Sequence, residues 1–317
     1  MKVRIGMAPT TLPAGKEGAD LFWRTMDLCD SLDFDSVWLS DRPVGPRISM
    51  EPMVGMAAVA GRYPKLKFGT SVLILSIRQP VLLAKELATF DYLSGGRIFP
   101  AIGLGQDDPR EYEAMGTRKE DRGRRVDEAI PLLRRLWTED NVTHHGEFYT
   151  LNDVTVEPKP LQKPCIPLWI GGRSKAAQRR IGRLGDGWLC SSATAAEMEE
   201  GITVINSTAG EAGRSVPEDH MGANIGFRID ASKEAGVENA APFAIRLRPD
   251  ADFASYAALG TAEDVVSTLR DYVAAGVTKF VLRPMCHPEE MEDQLRRAGE
   301  DVIPAFHSDR AGTKITA

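Results

Sequence analysis

Residues 166–190, IPLWIGGRSKAAQRRIGRLGDGWLC, decide the fold. They read as a buried strand at 166–170, a glycine pair, a helix, and a second buried strand at 187–190. The adjacent Gly171 and Gly172 let the chain turn sharply and bring bare N–H groups close to a ligand. The helix that follows aims the positive end of its dipole at that turn. Arg173 adds a full charge there and Ser174 a hydroxyl, which together compose a phosphate cradle. The helix starts at about Ser174, carries Ala177, Ile181 and Leu184 on one face, and ends at Gly185. A plain strand–helix connection, whose glycines only relieve crowding, satisfies the same letters, so composition leaves both readings open.

The strand-then-helix pattern recurs outward in both directions. Toward the N-terminus, strands read at 3–8, 36–40, 67–75 and 97–104, and helices at 18–32, 50–62, 80–93 and 122–137. Pro100 is awkward inside a central strand, so that strand properly begins near it. Residues 142–157 read as a hairpin, and the four prolines of 157–167 hold the chain extended. Toward the C-terminus, strands read at 187–190, 221–229 and 279–285, with helices at 195–213, 261–275 and 289–302. Strands separated by helices require parallel crossovers, and eight such units close into an α/β fold, the (β/α)8 TIM barrel. One domain over 1–317 is expected, with insertions at about 105–121, 140–160 and 231–260. The long connections after strands four and seven read as irregular candidate lids.

The totals narrow the function. The chain has 317 residues, with 39 Lys+Arg against 45 Asp+Glu and a net charge of −6. That balance argues against a nucleic-acid or anionic-membrane partner. No apolar run reaches transmembrane length. The N-terminal MKVRIGMAP has no secretory pattern, so a cytoplasmic location is expected. Cys29, Cys165, Cys190 and Cys286 are scattered and read as buried hydrophobes rather than a disulfide frame or zinc site.

In this fold the chemistry sits at the C-terminal strand ends. The candidates by position are Pro9 and Thr10, Asp41 and Arg42, 71–76, 103–106, 171–174, 190–192, 228–230 and 283–287. Asp41 either accepts hydrogen bonds from a ligand or caps the next element. Arg42 and Arg283 either hold an anionic group or form ordinary salt bridges, with Asp41 or another acid. Gln106 can reach a ring amide. His144 and His145 fall in the hairpin, leaving His287 as the histidine that topology places at the mouth. No spacing suggests a metal, and Lys279 precedes its strand and belongs to the barrel bottom. Nucleophilic catalysis has little support, so a borrowed cofactor is the expectation.

Several stretches together carry a resemblance: FDSVWLSD, KFGTSVLILSIRQPVLLAKELATFDYLSGGRI, RGRRVDEAIPLLRRLWTEDNVTHHGEFY, VEPKPLQKPCIPLWIGGRS and GRLGDGWL. In order, over residues 3 to about 303, they resemble the bacterial luciferase-like superfamily, and more narrowly its probable F420-dependent oxidoreductases. The resemblance implies a flavin-like ring across the barrel mouth and a non-proline cis peptide at Ser71-Val72 behind it. It implies phosphate binding at Gly171, Gly172, Arg173 and Ser174. It places Asp41, Thr70, Ser71, Val72 and Gly105 at the cofactor, and Arg42 and Gln106 at the chemistry. Arg42 stands where some deazaflavin dehydrogenases carry a His, and Gln106 where they carry a catalytic Glu. Gln106-Asp107-Asp108 replaces the tryptophan often found after the strand-four glycines. Sugar-phosphate or alcohol oxidation by their mechanism is therefore not the expectation. The implied activity is hydride transfer between coenzyme F420 and a small organic substrate. The rivals are an FMN-dependent two-component monooxygenase using reduced FMN and oxygen, a non-catalytic flavin-binding protein, and, least favoured, an unrelated phosphate-binding isomerase or aldolase. The implied partners are a small-molecule substrate, a flavin or deazaflavin reductase, and a second copy of the chain.

Overall fold

The computed structural model describes residues 2–9, 12–244 and 248–307. Thr10 lies outside the described residues. The strands are β1 (Arg4–Met7), β2 (Ser36–Leu39), β3 (Lys67–Ile74), β4 (Ile98–Gly103), β5 (Val142–His145), β6 (Thr150–Val154), β7 (Trp169–Gly171), β8 (Gly187–Ser191), β9 (Met221–Ile229), β10 (Ala257–Gly260) and β11 (Lys279–Pro284). Hydrogen bonding orders them β10-β9-β11-β1-β2-β3-β4-β7-β8, and β9 also pairs with β8. With β10 set aside, this is the cyclic order of a (β/α)8 barrel. Helices follow the strands: α1 (Gly15–Ser31), α2 (Pro52–Arg62), α3 (Pro80–Ser94), α4 (Pro109–Ala114), α5 (Arg122–Thr138), α6 (Lys175–Leu184), α7 (Ala195–Glu211), α8 (Lys233–Ala240), α9 (Ala262–Ala274), α10 (Met291–Arg297) and α11 (Ile303–His307). Among the described residues, no helix is long and apolar enough to cross a membrane.

The chain divides into two compact units. The first holds residues 1–38, 189–204 and 217–317. In it β1 pairs in parallel with β11 from Arg4↔Lys279 to Met7↔Leu282, and β11 with β9. All nine residues of β9 are buried. Its polar residues Asn224 and Arg228 are buried along with the apolar ones, as in a strand covered on both faces. Lys279, at the start of β11, is buried and donates to Ser36 Oγ at 2.6 Å and to Asp35. It is a structural ion pair at the strand's N-terminal end, as its position implied.

The segment 231–260 departs from expectation. It contains α8, capped by Ser232 accepting the Ala235 amide, and β10, which pairs with β9 from Ala257↔Gly226 to Gly260↔Ile229. Neither is legible because α8 buries only Gly236 and Ala240, and β10 is four residues long. A helix with no large apolar stripe leaves no periodic signal.

The second unit holds residues 39–188 and 205–216. β3 and β4 pair in parallel from Phe68↔Ile98, with a register shift between Ser71 and Leu73. β4 meets β7 at Ala101↔Trp169 and Ile102↔Ile170. β4 begins at Ile98, but its ladder to β7 begins only beyond Pro100, where an N–H is again available. β7 starts later than the sequence suggested. The Leu168 amide goes to Asp186 Oδ2 at 3.0 Å, and the Leu168 carbonyl takes the Asp186 amide at 2.8 Å. The loop 105–121 also contains more order than expected. Asp108 caps α4, with Pro109 in its first turn.

The proline-rich segment is held by one carboxylate. Asp91 is fully buried and accepts the amides of Leu161 (2.7 Å) and Gln162 (3.1 Å) and the Gln162 Nε2 (2.7 Å). Asp91→Ala leaves these part-buried donors without their acceptor, and should lower the unfolding free energy by about 1–3 kcal/mol in urea titrations. A loss within about 0.5 kcal/mol, the range of ordinary surface changes, would mean that water serves the donors equally well.

Candidate active site

All the candidate cofactor and catalytic residues lie in the second unit. They form two groups, one around β3 and one beyond β7, with β4 between these strands. The first surrounds β3. The Ser71–Val72 peptide is cis, as the resemblance implies. Both residues are half-buried between the buried Thr70 and Leu73. The Ser40 hydroxyl donates to the Ser71 carbonyl at 3.2 Å, and the Asp41 amide to the Val72 carbonyl at 3.3 Å. The end of β2 thus fixes this peptide while its side chains keep an open face. Thr70 is fully buried, and its hydroxyl donates to the Ala101 carbonyl at 2.7 Å.

Asp41 is 8 % exposed. Its Oδ2 accepts the Ile74 amide at 2.9 Å and Arg78 through Nε (3.2 Å) and Nη2 (2.9 Å). Its ion-pair partner is therefore Arg78 rather than Arg42. Burial pushes the Asp41 carboxyl above the usual carboxylate range, outweighing Arg78 and the Ile74 amide, which favour its charge. Arg78 also reaches Glu51 Oε1 at 3.1 Å. Burial works against the Arg78 charge, but the two carboxylates prevail and hold its pKa above the ordinary value.

Arg42 is left without such a partner. It forms no ion pair within 4 Å among the described residues, and its Nε is buried with no acceptor. A buried donor left unmet in the chain suits an acceptor supplied from outside it. Gln106 is exposed and sits on a loop. The Tyr112 hydroxyl donates to the carbonyls of Leu104 (2.6 Å) and Gln106 (2.9 Å). Gly105 has φ +87°, and a Cβ there would stand 2.7 Å from the Tyr112 hydroxyl and 2.9 Å from Ile74 Cγ2. Only glycine fits.

The second group is the turn between β7 and α6. Ser174 is the N-cap and accepts the Ala177 amide at 3.2 Å. Gly172 has φ +126°, and a Cβ there would lie 2.8 Å from the Ala177 Cβ. The turn's carbonyls are held: Gly172 O by Trp188 Nε1 at 2.7 Å and Arg173 O by Gln178 Nε2 at 3.1 Å. Its amides are different. Among the described residues no protein acceptor takes the N–H of Ser174, Lys175 or Ala176. Carbonyls tied back and amides without a protein acceptor at a helix N-terminus are chemically suited to an anion. The helix ends at Gly185, but with φ −88° rather than a left-handed cap.

The remaining candidates fall elsewhere. Arg283 lines a small hollow in the first unit, with Ser192, Asn224, Phe253, Tyr256 and Met285. His287 is exposed with its ring edge-on to Phe243 at 4.8 Å. His144 meets Glu128 at 2.9 Å, and Glu128 also accepts the Phe148 and Tyr149 amides, docking the β5–β6 hairpin on α5. Sequence reasoning missed Arg78, Glu111 and Tyr112. Arg78 stood two residues beyond the strand-three end considered, and Glu111 and Tyr112 lay in a segment read as loop.

A (β/α)8 barrel with helix N-terminal amides left without a protein acceptor at one strand end and a buried Arg42 Nε without one at another has the framework of a cofactor-using barrel enzyme. The luciferase-like monooxygenase family model matches residues 7–248, and the chain belongs to that family of oxidoreductases. It is 27% identical over 312 residues to an F420-dependent glucose-6-phosphate dehydrogenase of Amycolatopsis mediterranei, covering 88% of this chain and 92% of the other. It is 36% identical over 140 residues to an FMNH2-dependent dimethylsulfone monooxygenase of Pseudomonas putida, covering 43% and 38%. The crystal structure of monooxygenase RslO1 from Streptomyces bottropensis superposes with a TM-score of 0.83 at 22% identity, covering 96% of this chain and 99% of that one.

Proposed function

We propose that the protein binds coenzyme F420 and transfers hydride between it and a small organic substrate. The observation that carries this reading is the set of helix N-terminal amides of Ser174, Lys175 and Ala176 that no protein acceptor takes among the described residues, joined by the half-buried Ser71 and Val72. The deazaflavin, when bound, supplies or accepts the hydride. The chain's own residues do the rest. Gly171, Gly172, Arg173 and Ser174 hold the phosphate by backbone amides, charge and helix dipole. Ser71, Val72 and Asp41 form the wall behind the ring, and Thr70 and Gly105 fix that wall's backbone. Arg42 offers a donor to an acceptor oxygen, and the exposed Gln106 amide orients the substrate. One catalytic domain spans the chain in this reading.

The relationship to an FMNH2-dependent monooxygenase supports a second reading, a two-component monooxygenase supplied with reduced FMN by a separate reductase. The cradle suits either phosphate. Thermal melts with each cofactor at matched concentration separate them. The expected result is a larger rise in Tm with F420 than with FMN; ligand at a hundred times its Kd stabilises by about 2.7 kcal/mol. A larger shift with FMN, and oxygen uptake with reduced FMN, would transfer the assignment to the second reading. No shift with either would remove both.

A further inference from the structure

The turn after β7 has two carbonyls that the helix does not serve. In α6 the Gln178 amide donates to the Ser174 carbonyl at 2.9 Å. The Ala177 amide, next in line for the Arg173 carbonyl, goes to the Ser174 hydroxyl at 3.2 Å instead. The carbonyls of Gly172 and Arg173 are met by side chains. Trp188, fully buried on β8, gives its indole N–H to the Gly172 carbonyl at 2.7 Å. Gln178 stands one turn into α6, where helical side chains lean back toward the N-terminus. Its Nε2 reaches the Arg173 carbonyl at 3.1 Å. Each bond sets a peptide plane. Both peptides are trans, and in a trans peptide the N–H points opposite to the C=O. The Arg173 N–H therefore points away from the Trp188 indole, and the Ser174 N–H away from the Gln178 carboxamide. The Ser174 N–H is one of those that no protein acceptor takes among the described residues.

Gln178 is a costly residue for the fold alone. It is 4 % exposed, and its Oε1 is buried and meets no donor among the described residues. That oxygen shares one planar carboxamide with the Nε2 that holds the turn, so the unmet acceptor lies at the turn too. A buried acceptor left unmet destabilises the native state, and proteins carry such groups at functional sites. We propose that Gln178 and Trp188 are positioning residues of the anion site: they fix the two peptides flanking Arg173 and aim the Ser174 amide at a bound phosphate. The inference rests on the proposed function for the identity of that phosphate. In this role neither side chain touches the anion. Both act by holding the backbone in its bound geometry before the anion arrives.

The test compares stability and affinity in the same variants. Gln178→Met keeps the side-chain volume and removes both ends of the carboxamide. Its Tm should hold or rise, because the unmet Oε1 goes as well. Its affinity for F420 and for FMN should fall roughly tenfold, a coupling of ordinary size. Trp188→Phe removes the indole N–H and shrinks a fully buried ring, so its Tm and its affinity should fall together. Inorganic phosphate, followed by amide NMR, gives a readout free of either cofactor. It should move the Ser174 amide signal in the wild type, with a midpoint roughly tenfold higher in Gln178→Met. Unchanged cofactor affinity in Gln178→Met overturns the proposal. So does a loss of affinity that comes only with a lower Tm, which is what a packing role produces. If the wild type binds neither cofactor, the proposed function falls and the phosphate titration decides the positioning role alone. A midpoint equal in the wild type and Gln178→Met, or a Ser174 signal that phosphate does not move, then removes it.

Discussion

Gly172→Asp should weaken binding of F420 and FMN by roughly a thousandfold, about 4 kcal/mol. Two effects combine. The aspartate puts a like charge at the proposed phosphate position, and such a juxtaposition costs several kcal/mol once desolvated. The residue also holds φ +126°, and its Cβ would press on the Ala177 Cβ from 2.8 Å. Backbone of that kind costs a non-glycine residue on the order of 1–3 kcal/mol. The protein should therefore stay folded and melt lower, by about 2–4 °C for each kcal/mol lost. Gly172→Ala separates the two effects. It carries the same backbone and Cβ burden with no charge. Its Tm should match that of Gly172→Asp, while its affinity falls far less. Unchanged cofactor affinity in Gly172→Asp would place the phosphate elsewhere and remove the assignment of this turn.

The turn was readable because each of its parts is local. A glycine pair, a capping serine and a helix stripe within a dozen residues fix their own geometry, and Ser174 caps α6 as its position indicated. The barrel was readable for the same reason, repeated along the chain. What the sequence did not disclose was pairing at a distance. Asp41 and Arg78 are 37 residues apart. The sequence offered Arg42, the adjacent residue, as an ion-pair partner for Asp41. A neighbour in the chain of a strand-end residue points differently from it, because successive side chains alternate. Glu111 and Tyr112 were hidden by α4 itself, which has six residues and leaves no helical periodicity. The partners of Tyr112 are the carbonyls of Leu104 and Gln106, which carry no letter in the sequence.

Arg78→Met should lower the unfolding free energy by about 3–5 kcal/mol near pH 8, the usual range when one partner of a buried ion pair is removed. The Asp41 side chain is 2% exposed and that of Arg78 17%, so water cannot take over the guanidinium's role. The pH dependence identifies the cause. The folded carboxyl of Asp41 already lies above its unfolded value, because burial outweighs Arg78 and the Ile74 amide. Such a group contributes stability below its unfolded pKa, near 3.9, and that contribution is lost as pH rises through the raised folded pKa. Without Arg78 the folded pKa rises further, so more is lost over a wider window. The gap between variant and wild type should therefore be widest at pH 8 and narrow steadily as pH falls toward 5. Glu51 and the buried-side Glu86 also feel the Arg78 charge. Glu86→Gln in both backgrounds removes the Glu86 contribution. Asp41→Asn in the Arg78→Met background should recover most of the loss at pH 8, a coupling that a double-mutant cycle measures directly. A gap of equal size at pH 5 and pH 8 would mean that Arg78 acts through packing of its stem, and that the Asp41 charge plays no part in holding the end of β2 against the Ser71–Val72 peptide.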